Sequence, residues 1–180
     1  MIRKLAALAM LLALSTPTTF GQGTILFNNR VIGQVDAPFC RPDGSGLGAG
    51  FVAQLFLVTG GSTYTALSPA TTFRTTSAAA AFYVVQPSSA VIVPNVSPGQ
   101  QATIVMRAWE GALGSSFDTA LVKGESNPIT ITLGGVPAQG APIQDAVLAG
   151  LQGVCILPEP GTIALALLGG AALFCRKPRR

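Results

Sequence analysis

Phe51 to Val58 reads FVAQLFLV, and Ala102 to Trp109 reads ATIVMRAW. These two stretches decide the fold. Along an extended chain the side chains alternate sides with a period of two. Ile104, Met106 and Ala108 therefore fall on one side of the second stretch, and Val105, Arg107 and Trp109 on the other. The first stretch is apolar at nearly every position, as a strand covered on both faces must be.

Further short strands are expected at Gly23–Ile32, Ala80–Val85, Ala90–Pro94 and Asn127–Leu133. Turn signals separate them: Pro42 to Gly44 (PDG), Gly60-Gly61, Pro98-Gly99 and Gly134-Gly135. Ser115 to Gly124 departs from the pattern. It offers serine caps, apolar Phe117, Ala120 and Leu121 at helical spacing and a closing glycine, which predicts one short helix. Short strands between Gly- and Pro-rich turns favour an antiparallel arrangement over a βαβ fold. The expected fold class is mainly β, a single antiparallel β-sandwich-like domain with one short helix.

Composition agrees with a turn-rich chain. The 180 residues include 21 Gly and 13 Pro, 49% are hydrophobic and only 10% are charged. There is no histidine, which removes Ser–His–Asp and Cys–His catalysis and His-ligated metals. The formal charge is +4, but its basic excess lies at the ends. Between them, Arg30, Arg41, Arg74, Arg107 and Lys123 face Asp36, Asp43, Glu110, Asp118, Glu125 and Asp145. A nucleic-acid binder carries its basic charge on the folded domain, so no nucleic-acid partner is expected.

Met1 to Gly21 has the order of a secretory signal, expected to form an N-terminal signal helix. Arg3 and Lys4 form a positive start, Leu5 to Leu14 an apolar run, and Thr19 to Gly21 a site for signal peptidase before Gln22. At the other end, Pro158-Glu159-Pro160 precedes the uncharged Thr162 to Cys175, and Arg176, Lys177, Arg179 and Arg180 close the chain. The two prolines keep their segment extended. The apolar run makes about 21 Å of helix at 1.5 Å per residue, short of the roughly 30 Å hydrocarbon core. Snorkelling by Arg176 and Lys177 would extend it into a transmembrane helix. By the positive-inside rule the basic end would stay cytoplasmic, with the domain outside. The expected organisation is a signal peptide (1–21), an exported domain (22–157) and a tail (158–180).

The order of motif, apolar helix and basic end resembles the PEP-CTERM sorting tail of exported bacterial proteins. That resemblance implies transient anchoring in the inner membrane and processing by an exosortase near Pro158, Glu159 and Pro160. It also implies delivery to the cell surface or the exopolysaccharide. Leu157 to Gly161 (LPEPG) is similar to the LPxTG motif of sortase substrates as well, but Pro160 stands where the cleaved threonine belongs. Sortase-type anchoring is the alternative route. The opening Gly23 to Arg30, Phe51 to Leu55 and the stretches around Trp109 and Phe117 also resemble a group of PEP-CTERM proteins, a likeness that implies no activity.

Candidate chemistry in the domain is sparse. Cys40 and Cys155 suit a disulfide in an exported protein, against the alternative of two unpaired thiols. Asp118-Thr119-Ala120 echoes an aspartic-protease triplet but lacks a second such aspartate. Glu110 and Glu125, with Asp118 between, are the carboxylates from which a glycosidase pair would have to come. Gly44 to Gly50 is glycine-rich without the Gly-Lys-Ser/Thr ending of a phosphate loop, and Asp43 beside it is too little for calcium. Trp109, Tyr64 and Tyr83 are the aromatics for a sugar-stacking platform. Asn95 to Ser97 matches a glycosylation sequon, and the threonine pairs Thr71-Thr72 and Thr75-Thr76 are too few for an ice-facing array. No catalytic, cofactor or metal site is assigned, and the chain is not expected to be an enzyme. The expectation is a structural or adhesive protein of the surface or exopolysaccharide. A carbohydrate- or ice-binding module is the alternative, and a polysaccharide hydrolase a more distant one.

Overall fold

The computed structural model describes residues 21–156. The signal segment up to residue 20 and the tail from residue 157 onward lie outside the described residues. So do the sorting motif, the apolar helix and the basic end.

The described residues are mainly β, with no helix of seven or more residues. The strands are β1 Gly23–Ile25, β2 Arg30–Val31, β3 Val35–Asp36, β4 Phe39–Cys40, β5 Phe51–Thr59, β6 Thr63–Ala66, β7 Thr71–Thr72, β8 Val91–Val93, β9 Gln101–Glu110, β10 Lys123–Glu125, β11 Ile129–Thr132 and β12 Val154–Cys155. The two deciding stretches form the centre. β5 and β9 pair antiparallel from Phe51↔Glu110 to Val58↔Thr103. β6 and β7 follow one another along the free side of β5, and β11 and β10 do the same along β9. All of these pairings are antiparallel. The turn from β5 to β6 needs left-handed backbone at Gly60 and Gly61 (φ 59 and 80), which glycine adopts without a Cβ clash.

The alternation read from the sequence sorts this sheet. Ala53, Leu55, Leu57, Ile104, Met106 and Ala108 enter one buried cluster. Ile25 of β1, with Val91 and Val93 of the antiparallel partner β8, joins it, as do Leu148, Leu151 and Ile156. Each such large aliphatic side chain contributes about 1.5–3 kcal/mol by leaving water. β12 pairs parallel with β4, in register Cys155↔Cys40, and these two cysteines form a disulfide.

Three local expectations are corrected. The expected helix over Ser115–Gly124 is absent. Ser116 and Thr119 make a single hydrogen-bonded turn, with Ala120 N–H donating to the Ser116 carbonyl. Beyond it the Val122 carbonyl accepts from Glu110 N–H, and Gly124 pairs with Ala108 of β9. Sheet pairing thus takes the backbone groups that a helix would have used. Among the described residues, the short helix that does occur is a 3-10 turn at Gly111–Leu113.

Ala80–Val85 is likewise not a strand. Ser77 draws Ala80 and Ala81 into a turn, and Val84 makes only an isolated bridge to Phe73. The long strand expected over Gly23–Ile32 breaks after Ile25. There Asn28 N–H donates to the Leu26 carbonyl, and the Asn28 side chain accepts from Arg30 N–H. Asparagine offers the backbone this local alternative to a ladder.

Candidate functional site

The outer face of the β5–β9 sheet carries the site. Register places side chains in rows across it. Thr130, Thr103, Val58 and Tyr64 form one row over β11, β9, β5 and β6. Glu125, Arg107 and Gln54 form a second, and Lys123, Trp109, Val52 and Thr72 a third. The first row is open to water. Thr103 and Thr130 hydroxyls lie 3.0 Å apart, and Tyr64 is 39% exposed.

In the other two rows, Trp109 and Arg107 are covered by the segment between β9 and β10, while Thr72 at the far edge is exposed. Phe117 of that segment meets Trp109 edge-on at 6.5 Å. Trp109 is thereby buried. Beneath the cover lies Arg107, whose guanidinium carbon is 3.7 Å from the Tyr64 ring centroid, 4.4 Å from that of Phe117 and 4.8 Å from that of Phe56. Three rings around one cation are each favourable, more so when water is excluded. Arg107 Nε donates to Glu125 Oε2 at 2.5 Å, and the Tyr64 hydroxyl donates to Glu125 Oε1 at 3.4 Å. A charge inside an apolar strand requires such a partner. Lys123 Nζ sits 5.4 Å from the Phe117 centroid and donates to the Asp118 carbonyl.

The aromatics considered for a platform are thus divided. Trp109 and Tyr64 flank Arg107, whereas Tyr83 belongs to another cluster, where its hydroxyl donates to Asp36 at 2.8 Å. Burial, reinforced by that hydrogen bond and the Asp36 charge, pushes the Tyr83 hydroxyl above the ordinary 10.0, with Arg30 opposing. Arg30 lies 4.7 Å from the Tyr83 centroid.

The carboxylates are also separated. Glu110 is opposite Phe51, on the core-side alternation, whereas Glu125 is opposite Arg107 on the outer side. They therefore project from opposite faces of the sheet. Asp118-Thr119-Ala120 lies in the covering turn. Asp43 accepts from the hydroxyl and N–H of Ser45, and these bonds, with Arg41 nearby, hold its carboxyl below the ordinary 3.8. That makes Gly44 and its neighbours a stapled turn. Among the described residues no group of three His, Cys, Asp or Glu side chains is placed to hold a metal ion. Asn95 has a left-handed backbone (φ 62) in the turn after β8.

Sequence reasoning overlooked Asn29 and the Arg107–Glu125 pair. Arg107 stands between Met106 and Ala108 in an apolar run. Buried charge was the available signal there, with Glu125 among the possible partners. A scan of family models and searches of curated proteins and solved structures each found no match.

Proposed function

We propose that this chain is an exported structural or adhesive protein of the cell surface or exopolysaccharide, and that the outer sheet face is its contact surface. The observation that carries the reading is the open row Thr130–Thr103–Val58–Tyr64. Hydroxyls beside an exposed ring on a rigid sheet suit contact with hydroxylated polymers, since an aromatic ring offers an apolar body and a polar tip. The Cys40–Cys155 disulfide supports an oxidising compartment. On this reading the domain is sandwich-like, with the β1–β8 ribbon and the C-terminal segment as the second layer over the core side.

Sorting is proposed to run through the PEP-CTERM-like tail. Signal peptidase would release Gln22, Thr162 to Cys175 would arrest in the inner membrane, and an exosortase would process near Pro158-Glu159-Pro160. Fractionation followed by intact-mass measurement tests this. Surface protein is expected to begin near Gln22 and to lack Arg176 to Arg180. A mature surface form that keeps the basic end overturns the processing step, and a chain confined to the cytoplasm overturns export.

The same row favours a second reading, a carbohydrate- or ice-binding module without chemistry. Thermal hysteresis in supercooled solution would select ice. Release of sugars from surface polysaccharide would select the hydrolase instead.

A further inference from the structure

We infer that Gln22, once signal peptidase has made it the first residue, closes on itself to a five-membered lactam, a pyroglutamyl end. This rests on the cleavage before Gln22 proposed above and adds a covalent modification to it. The chain is tied immediately after that residue. Gly23 is buried, and its N–H donates to the Val96 carbonyl at 2.7 Å. A Cβ at Gly23 would strike the Leu133 side chain. The Gln22 carbonyl itself lies against Gly135, where an added Cβ would come within 2.9 Å of its oxygen. A terminus anchored in this way keeps a fixed place on the domain.

Upstream of that carbonyl, Gln22 is open. The residue is exposed, and among the described residues neither its backbone nitrogen nor its carboxamide has a hydrogen-bond partner. It lines a cleft of about 440 Å³ with Asn95, Val96 and Ser97, which leaves room for the carboxamide to fold back on its own nitrogen. The Asn95 amide and the Ser97 hydroxyl are likewise unengaged among the described residues, so the cleft has polar groups to spare for a lactam N–H and carbonyl. The reaction balances without a co-reactant. The neutral α-amine nitrogen attacks Cδ of the same side chain. The N–Cδ bond forms as the Cδ–Nε2 bond breaks, and an amine proton leaves with Nε2 as ammonia. Nucleophile and electrophile belong to one residue, so the step is unimolecular and requires only that neither is held elsewhere. An ordinary α-amine, with a pKa of about 7.7–8.0, is partly neutral at pH 7. The product has no terminal ammonium, so an aminopeptidase finds no free amine at this end.

The full chain with its own signal is expressed, and exposed amines are labelled on intact cells before the surface protein is recovered for intact-mass and terminal-peptide sequencing. The expected product begins at Gln22, carries no label on its α-nitrogen and is lighter than the open chain by one ammonia. Gln22→Glu keeps the shape but lacks the ammonia leaving group, and is expected to keep a labelled amine. A labelled amine on Gln22 overturns the lactam and leaves the cleavage reading standing. A chain that begins at any other residue overturns the cleavage position and the lactam together. An unlabelled end in the Gln22→Glu variant overturns cyclisation as the source of the block.

Discussion

The side-chain oxygen of Asn29 accepts a hydrogen bond from the backbone N–H of Val84 at 2.9 Å. The same amide donates to the carbonyls of Ala37 and Phe82 at 2.7 and 3.2 Å, and Asn29 is fully buried. One side chain thus stands in for a strand between segments that form no regular ladder. Asn29→Leu would leave buried donors and acceptors unmade, each costing about 1–3 kcal/mol. The loss is expected to exceed about 3 kcal/mol by urea unfolding. Asn29→Asp, which keeps the acceptor and removes the donor, is expected to destabilise as well. A change below about 0.5 kcal/mol would contradict this account.

The bridge between Cys40 and Cys155 spans a sequence separation of 115. In the chain-entropy description a loop of that size gives about 4–5 kcal/mol. Reduction, or Cys40→Ser, is expected to lower the urea midpoint by a matching amount. The unfolding slope should change too, because the unbridged denatured chain exposes more surface.

Gly134 lies where the Thr24 backbone and the Gln144–Asp145 backbone converge. A Cβ there would meet Asp145 Cα at 2.5 Å. Gly134→Ala is expected to cost about 1–3 kcal/mol through forced backbone movement. Gly50→Ala is the matched control, since a Cβ at Gly50 meets nothing within 4 Å and its backbone is not left-handed. It should leave the melting temperature unchanged or slightly raised.

Alkaline pH should act through Tyr83. Its hydroxyl titrates above 10.0 in the folded chain, so folding favours the protonated phenol. The stabilisation is complete below the unfolded value and fades as pH rises through the folded one. Ultraviolet titration of a Tyr64→Phe variant, which leaves Tyr83 as the remaining tyrosine, should show ionisation displaced upward. Tyr83→Phe should flatten the fall in stability above pH 10. Ionisation of Tyr83 at the free-tyrosine value would contradict the burial assigned to it.

The centre of the fold was legible because its signal is local. Phe51 to Val58 and Ala102 to Trp109 declare their period within a few residues, and they pair with each other. The edges were not legible. Thr63–Ala66 is exposed at every position and Val154–Cys155 is two residues long, so neither has a pattern to read. Ser115–Gly124 misled because its helical spacing is real, while β9 decides the matter from outside the segment. At the site, strand alternation correctly put Arg107 and Trp109 on one face. What enclosed them depended on Tyr64 and Glu125, 61 residues apart in sequence and joined only through register.

The position of the bridge also orders events in time. A chain made from its N-terminus brings Cys40 out 115 residues before Cys155. Domains form as units during synthesis, N-terminal parts first, so β5 and β9 can pair while Cys40 still lacks its partner. Until β12 settles beside β4, the Cys40 thiol stays open to mixed disulfides with small thiols or other chains. The covalent ring therefore works as a completion mark, since a chain truncated anywhere before Cys155 can never close it.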